Sequence, residues 1–112
     1  MMSYQHKELA GGRWQQLSLL EQMANIGSEV ERTIGWRNND NLDYSQRAFD
    51  RALELIDLTI GDKKNLRRLK EICRVREALT DYFLFDNVYQ STAADWSGYF
   101  YPFNYAARTA RA

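Results

Sequence analysis

The chain has 112 residues, of which 45% are hydrophobic and 27% charged, with fifteen basic and fifteen acidic side chains. This length predicts one domain with one core, and the composition excludes disordered and collagen-like classes. No apolar run approaches the roughly 18 residues of a membrane span, so we expect no membrane partner. The single cysteine, Cys73, excludes an internal disulfide and favours a reducing, cytoplasmic location.

Ser18 is the predicted boundary between an N-terminal arm and the helical domain. Residues 1–17 show no hydrophobic period, so we predict an arm with one short helical turn around Trp14, followed by a single helical domain over residues 18–112. Ser18 and Glu21 form a capping box, in which each side chain accepts a hydrogen bond from the other residue's N–H group. The first helix therefore begins here and runs to about Arg37, with apolar residues at helical spacing: Leu19, Met23, Ile26, Val30 and Ile34.

The first helix also carries a patch of small residues. Ala24, Gly27 and Ser28 lie within about one turn of each other. A glycine inside a helix costs about 1 kcal/mol relative to alanine, so it should be compensated by a close neighbour. The sequence leaves open whether this neighbour belongs to the same chain or to a second subunit.

Two further helices are predicted on either side of Gly61-Asp62. The second helix runs from about Tyr44 to Ile60, with Asp43 or Ser45 as N-cap and Gly61 as a left-handed C-cap. The third helix begins with Asp62 as N-cap and continues to about Phe85. Its predicted apolar stripe consists of Leu66, Leu69, Ile72, Cys73, Leu79, Tyr82 and Phe83.

The short connection predicts that the second and third helices are antiparallel neighbours. If the chain reverses at Gly61-Asp62, residues equally distant from the turn face each other. This register pairs opposite charges four times: Asp57 with Arg67, Glu54 with Lys70, Asp50 with Arg74, and Arg47 with Glu77. We therefore predict a central hairpin in which the acidic helix neutralises the basic one.

A fourth, aromatic helix is predicted from Ser91-Thr92, where Thr92 and Asp95 resemble another capping box, to about Arg108. Pro102 lies inside it and should kink it. Six of the fifteen aromatic residues occupy ten positions of this helix: Trp96, Tyr99, Phe100, Tyr101, Phe103 and Tyr105. These six residues point all round the helix, so we expect a protein interface. The alternative is a closing helix packed on the hairpin.

Catalytic and metal-binding residues are scarce. The only histidine, His6, lies in the predicted arm, where it cannot be held as a general base beside a nucleophile. Cys73 falls on the apolar stripe, and we expect it to be a small buried side chain. Zinc and di-iron sites need cysteine or histidine ligands that the predicted helices do not supply. We therefore predict no enzyme activity, no catalytic residue, no cofactor and no metal.

A basic cluster is the one feature that points to a polyanion. Residues 62–112 contain nine basic and six acidic residues, whereas residues 1–61 contain six and nine. Five side chains are candidates for contact with nucleic-acid phosphates: Lys63, Lys64, Arg67, Arg68 and Arg74. The alternative is a face whose charges are solvated or paired with the second helix, and the predicted register favours this alternative.

Several stretches resemble a family of small uncharacterised helical prokaryotic proteins. They are Met23-Ala24-Asn25-Ile26-Gly27-Ser28-Glu29-Val30-Glu31-Arg32, Trp36-Arg37, Arg47-Ala48-Phe49-Asp50-Arg51-Ala52-Leu53-Glu54-Leu55 and Phe103-Asn104-Tyr105-Ala106-Ala107-Arg108. The resemblance covers most of the chain and implies no activity and no functional residues. A looser resemblance, in architecture alone, is to the four-helix accessory proteins of diversity-generating reverse transcriptases, which are markedly basic, unlike this chain.

The sequence thus predicts an all-α, up-down four-helix bundle with a central antiparallel hairpin of the second and third helices. The predicted function is that of a non-enzymatic interaction or adaptor protein, which self-associates as a homo-oligomer through its aromatic C-terminal helix. The alternative is an accessory nucleic-acid-binding protein, for example a partner of a reverse transcriptase or another nucleic-acid enzyme, which uses the basic third helix.

Overall fold

The computed structural model describes residues 12–110. It contains four α-helices: α1 (Leu19–Asn38), α2 (Leu42–Ile60), α3 (Leu69–Leu84) and α4 (Ala93–Ala110). Short 3-10 helices, Trp14–Gln16 and Lys63–Arg68, precede α1 and α3. The prediction of an all-α fold with four helices is confirmed, and no strand occurs within residues 12–110. His6 and most of the predicted arm lie outside the described residues.

Reciprocal capping fixes the starts of α1 and α4, as predicted. The Ser18 hydroxyl accepts a hydrogen bond from the Glu21 N–H group, and Glu21 Oε1 accepts one from the Ser18 N–H group, both at 3.1 Å. At α4, Asp95 Oδ2 accepts from the Thr92 N–H group at 2.9 Å, and Thr92 Oγ1 accepts from the Asp95 N–H group at 3.1 Å. Both helices therefore begin where a side chain satisfies an otherwise unpaired backbone donor.

The ends of α2 differ from the prediction. Asn41 is the N-cap, because its Oδ1 accepts a hydrogen bond from the Tyr44 N–H group at 3.1 Å. Ser45 instead lies in the helix and donates its hydroxyl to the Thr33 carbonyl of α1 at 3.0 Å. Gly61 has φ −75° and ψ −7°, so the predicted left-handed cap is wrong. The chain leaves α2 in a right-handed conformation and turns at the following residue.

The core is centred on α1, which packs against both α2 and α4. Its predicted apolar face is confirmed, with Met23, Ile26 and Val30 almost completely buried. The α2–α3 contact is smaller than either α1 contact, so the prediction that α2 and α3 form the central pair is wrong. The buried cluster comprises Trp14, Met23, Ile26, Val30, Ile34, Phe49, Ala52, Leu55, Ile56, Ile72, Val75, Leu79, Trp96 and Phe100. Trp14 thus belongs to the core rather than to an arm.

The small-residue patch on α1 receives α4 of the same chain. A Cβ atom added at Gly27 would lie 2.8 Å from Phe100 Cβ and 2.9 Å from Phe100 Cγ. These distances are shorter than carbon atoms tolerate, and Phe100 Cβ is tied to the α4 backbone. The glycine therefore allows the two helices to approach each other closely, which decides the open question in favour of an internal neighbour.

The predicted register between α2 and α3 is wrong. Asp57 pairs with Arg76 at 2.8 Å, and the rings of Phe49 and Phe83 lie 4.9 Å apart between centroids. Both contacts bring α2 against residues of α3 about two helical turns later than predicted. The reason is the 3-10 helix Lys63–Arg68, which places six residues between the turn and the start of α3.

A buried polar cluster holds that 3-10 helix against the core. Asn65 donates its amide to Gln22 Oε1 at 2.9 Å and to the Thr59 carbonyl at 3.0 Å. Gln22 donates to the Trp14 carbonyl, and the Trp14 indole N–H donates to Thr59 Oγ1, both at 2.9 Å. These side chains are at most 2% exposed. Because buried polar groups are costly without partners, the cluster fixes all the segments that meet there.

Asp62 joins this cluster as an acidic member. It is 7% exposed, caps the 3-10 helix through the Lys64 N–H group, and accepts hydrogen bonds from Lys64 Nζ and Gln22 Nε2. Burial alone would raise the pKa of Asp62, but the hydrogen bonds and the Lys64 charge outweigh it. The pKa of the carboxyl group therefore lies below its usual value, and the ionised form stabilises the fold.

We expect Gly27→Ala to destabilise the protein. Overpacking costs about 1–3 kcal/mol, whereas the gain in helix propensity is at most about 1 kcal/mol. The net loss should be about 1–2 kcal/mol in chemical denaturation. Gly35→Ala is the matched control in the same helix, because nothing lies within 4 Å of its added Cβ. This control should gain about 0.5–1 kcal/mol, and equal effects of both variants would contradict the close α1–α4 contact.

We expect Asp62→Asn to lower the free energy of unfolding at pH 7 by about 1–3 kcal/mol, since it removes a charge-assisted hydrogen-bonded group. The folded-state pKa of Asp62 is depressed, so its stabilising contribution is present above the unfolded value of 3.8 and lost as pH falls through the folded value. The difference between wild type and variant should therefore shrink below about pH 4 in urea titrations. A difference independent of pH would contradict this role, and Asp86→Asn provides an exposed control.

Candidate interaction surfaces

The aromatic residues of α4 are divided between the core and the surface. Trp96 and Phe100 are 7% and 1% exposed, and Trp96 Nε1 donates to Ser91 Oγ at 3.1 Å. The prediction that these two residues form an interface is therefore corrected: they lie one turn apart on α4, with Phe100 against Gly27 of α1 and Trp96 in a groove lined by α3. Tyr101 and Tyr105 are exposed, with ring centroids 6.3 Å apart, and Tyr101 borders a groove between α4 and α1.

Tyr99 and Phe103 are half-buried. The Tyr99 hydroxyl donates to Glu71 Oε2 of α3 at 2.6 Å. Burial, followed by this hydrogen bond, raises the pKa of Tyr99, while the same bond lowers the pKa of Glu71. The pair therefore joins α4 to α3 with a neutral phenol and an ionised carboxylate, and it is not poised for proton exchange near pH 7.

Cys73 is exposed, so the prediction that it is buried is wrong. The 3-10 helix shifts the phase of the apolar face of α3, and that face is formed by Ile72, Val75 and Leu79. Leu66 is likewise 72% exposed. Cys73 lies on the side of α3 next to the α3–α4 connection.

The basic cluster is split among different partners. Lys64 is bound to Asp62 and to the Gln15 carbonyl, and Arg68 pairs with Glu71 at 2.8 Å. Lys63, Arg67 and Arg74 are exposed. Arg67 and Arg74 line one groove with Arg68 and with Lys70, a residue that was not among the five predicted contacts. Lys63 and Lys64 do not line this groove.

An apolar patch, which sequence reasoning missed, lies at the α1–α2 and α3–α4 connections. Among the described residues it contains seven of the ten exposed large hydrophobic side chains: Trp36, Leu42, Tyr44, Leu84, Phe85, Val88 and Tyr89. The rings of Trp36 and Tyr44 meet edge to face at 4.9 Å. Leu42 and Leu84 line one cavity of about 220 Å³. We call these seven residues the apolar patch.

Part of the apolar patch borders a larger groove beside α3. Phe85, Val88 and Tyr89 line a cavity of about 500 Å³ together with Cys73 and Thr80. The Glu77 carboxylate beside Tyr89 raises the pKa of that tyrosine. The groove thus combines apolar surface with charged side chains at its edge.

The loop that carries half of this patch is fixed by one carboxylate. Asp81, which is 9% exposed, accepts hydrogen bonds from the Val88 N–H group on Oδ1 at 2.9 Å and from the Tyr89 N–H group on Oδ2 at 3.0 Å. Its own carbonyl accepts from the N–H groups of Phe85 and Asn87. These four hydrogen bonds therefore hold the loop backbone that carries the exposed apolar side chains in a defined conformation.

Asn87 and Gln90 complete the loop. They have φ values of 54° and 56°, the left-handed region that asparagine adopts more readily than most residues. The Asn87 side chain also brackets Ser91: its Oδ1 accepts from the Ser91 N–H group at 3.0 Å, and its Nδ2 donates to the Ser91 carbonyl at 2.9 Å. The connection is thus a built turn rather than a loose linker.

A signal for this patch was present in the sequence. The segment Phe85-Asp86-Asn87-Val88-Tyr89 combines turn residues with large apolar ones between two helices. A turn of this length has little room to bury all three apolar side chains, so their exposure follows from local chemistry.

Comparison with protein-family models, with curated proteins and with solved structures found no match to this chain. The resemblance to small prokaryotic helical proteins therefore stays a prediction. Within residues 12–110, no group of three or more histidine, cysteine, aspartate or glutamate side chains is arranged to hold a metal ion. No helix in the same range combines the length and the apolar character that a bilayer span requires.

We expect Asp81→Ala to release the loop. It removes both acceptors of the Val88 and Tyr89 N–H groups, so amide hydrogen exchange at these two residues should accelerate strongly, with a stability loss of about 1–3 kcal/mol. Asp81→Asn keeps one acceptor and should protect one of the two amides. Exchange that stays slow in Asp81→Ala would show that the carboxylate does not hold the loop.

Proposed function

We propose that this chain is a non-enzymatic interaction protein that self-associates through the apolar patch. The observation that carries the proposal is the concentration of exposed apolar side chains at two helix connections, one of which is fixed by Asp81. The proposed interface is the apolar patch instead of the predicted surface on α4, because only Tyr101 and Tyr105 of the six predicted residues are exposed. Two tyrosines whose hydroxyl groups reach solvent are ordinary surface residues.

The size of the apolar patch fits a stable protein interface. Its side chains range from 37% exposed at Trp36 to 77% exposed at Val88. With about 150–250 Å² for a large side chain, they expose roughly 600–1,000 Å². This reaches or exceeds the largest patch of a typical monomer, about 300–600 Å², and matches the roughly 800 Å² that each partner of a standard complex buries.

The charges around the apolar patch favour a second copy as the partner. Arg37 follows Trp36 and lies over the Tyr82 ring at 5.0 Å, while Asp40 and Asp86 occupy the two connections. A rim with both signs can be complementary to itself across a two-fold axis, because each cation meets a carboxylate of the other copy. The chain as a whole has no net charge, so two copies do not repel each other.

The proposal includes an up-down arrangement of the four helices, which brings the α1–α2 and α3–α4 connections to the same end of the bundle. The ring contact between Phe49 and Phe83 and the cavity lined by Leu42 and Leu84 support this arrangement. A cytoplasmic location and a prokaryotic origin remain part of the proposal, the first because of the single cysteine.

We expect the wild-type protein to form a dimer whose population rises with concentration in sedimentation velocity experiments. The double variant Phe85→Asp/Val88→Asp should weaken dimerisation by about tenfold or more, because buried apolar side chains each contribute about 1.5–3 kcal/mol. Both side chains point to solvent, and the bonds from the Val88 and Tyr89 N–H groups to Asp81 are retained. The folded state should therefore survive, which circular dichroism checks.

The matched control is Tyr101→Asp/Tyr105→Asp, which adds the same charge to the exposed side of α4. This variant should dimerise like the wild type. If it becomes monomeric while the patch variant does not, the interface lies on α4 and our placement is wrong. A wild-type protein that remains monomeric up to several hundred micromolar would overturn self-association itself.

A further inference from the structure

A second surface, on the other side of α3, has a different chemistry. It is a groove of about 510 Å³ between α3 and the first turns of α4. Its rim carries the side chains of Arg67, Arg68, Lys70 and Arg74, and its floor contains Val75, Ala78, Trp96 and Tyr99. Cations around an apolar floor favour a ligand that has both negative charge and flat apolar surface.

The cations of this groove are not neutralised by α2. Asp57, the predicted partner of Arg67, is bound to Arg76, and Asp50 accepts a hydrogen bond from Gln46 at 2.8 Å. Within residues 12–110, Arg67, Lys70 and Arg74 take part in no salt bridge. The predicted register, in which acidic residues of α2 neutralise these cations, therefore no longer favours a paired basic face.

Glu71 is the one acidic residue in the groove lining, and its carboxylate is already engaged. Oε1 accepts hydrogen bonds from Arg68, with distances of 2.9 Å to Nε and 2.8 Å to Nη2. Oε2 accepts from the Tyr99 hydroxyl. The Arg68 charge thus offsets the Glu71 charge, and Arg67, Lys70 and Arg74 leave the groove with a net charge of about +3.

The three remaining cations form a row rather than converging on one point. Lys70 and Arg74 are four helical residues apart, which is about 6 Å along α3, and Arg67 lies a further 5–6 Å or so back through the 3-10 helix. The row is thus about 11 Å long, which equals the length of three to four stacked nucleotides at about 3.4 Å each. Two of the three cations are arginines, whose planar guanidinium groups match phosphate oxygens in pairs.

We propose that this groove binds single-stranded nucleic acid, with successive phosphates on Arg67, Lys70 and Arg74 and a base against the apolar floor. A duplex keeps its base faces stacked inside and presents only a convex backbone, so it leaves the floor uncovered. An acidic homopolymer such as polyglutamate matches the charge of the row but has no flat ring for the floor. The proposal is independent of self-association, because the groove and the apolar patch share no residue.

Fluorescence anisotropy with a short labelled oligothymidine tests this inference on the full chain. Binding should follow the counterion release of about three contacts, so the logarithm of the association constant should fall with a slope of about −2 against the logarithm of salt concentration. Between about 50 and 200 mM salt this is a loss of roughly 15- to 20-fold. Arg67→Gln/Arg74→Gln should weaken binding at low salt and flatten the slope to about −1 or less.

The control variant Lys63→Gln/Arg108→Gln removes the same charge from two exposed residues that do not line the groove. It should bind like the wild type; equal losses in both variants would show that binding follows net charge, and would overturn the groove. A duplex of the same length that binds as tightly, or polyglutamate that displaces the oligonucleotide at equal charge, would also overturn the proposal. So would the absence of binding at low salt. The Phe85→Asp/Val88→Asp variant should still bind, which separates this test from that of dimerisation.

Discussion

Asn65 lies inside the protein, and the course of the chain after α2 follows from this position. Its amide is held by Gln22 of α1 and by the last turn of α2, so its neighbours Leu66 and Arg67 face outwards. The six residues of the 3-10 helix separate the turn from α3 and set the rotation of α3. A single buried amide therefore influences which cations pair with α2 and which face solvent.

The starts of helices could be predicted from the sequence because capping is a local interaction. Ser18 with Glu21, and Thr92 with Asp95, need only residues three positions apart. The apolar face of α1 could be predicted for the same reason, since an uninterrupted α-helix keeps one period. The phase of α3 could not be predicted, because it depends on partners of Asn65 that lie 6 and 43 residues away. Charge complementarity gave a self-consistent but wrong register.

The candidate surfaces could not be predicted either, because they too depend on contacts between residues far apart in sequence. The density of aromatic residues in α4 predicted an interface, but Trp96 and Phe100 are buried, and Gly27 allows Phe100 to pack closely against α1. Composition counts aromatic residues, whereas exposure depends on which side of the helix the neighbour covers. The apolar patch was missed for the opposite reason. Its members are spread over two connections that are more than 40 residues apart in sequence, and only the fold unites Leu42 with Leu84.

The peripheral position of α3 explains why both candidate surfaces adjoin it. Because α1 rather than α3 is at the centre, α3 buries one narrow face, formed by Ile72, Val75 and Leu79, and leaves a flank open on each side. One flank carries Lys70 and Arg74, and the other carries Cys73 beside the Asp81-bound loop. The two flanks share no lining residue. A helix packed on several sides could not present two chemically different surfaces in this way.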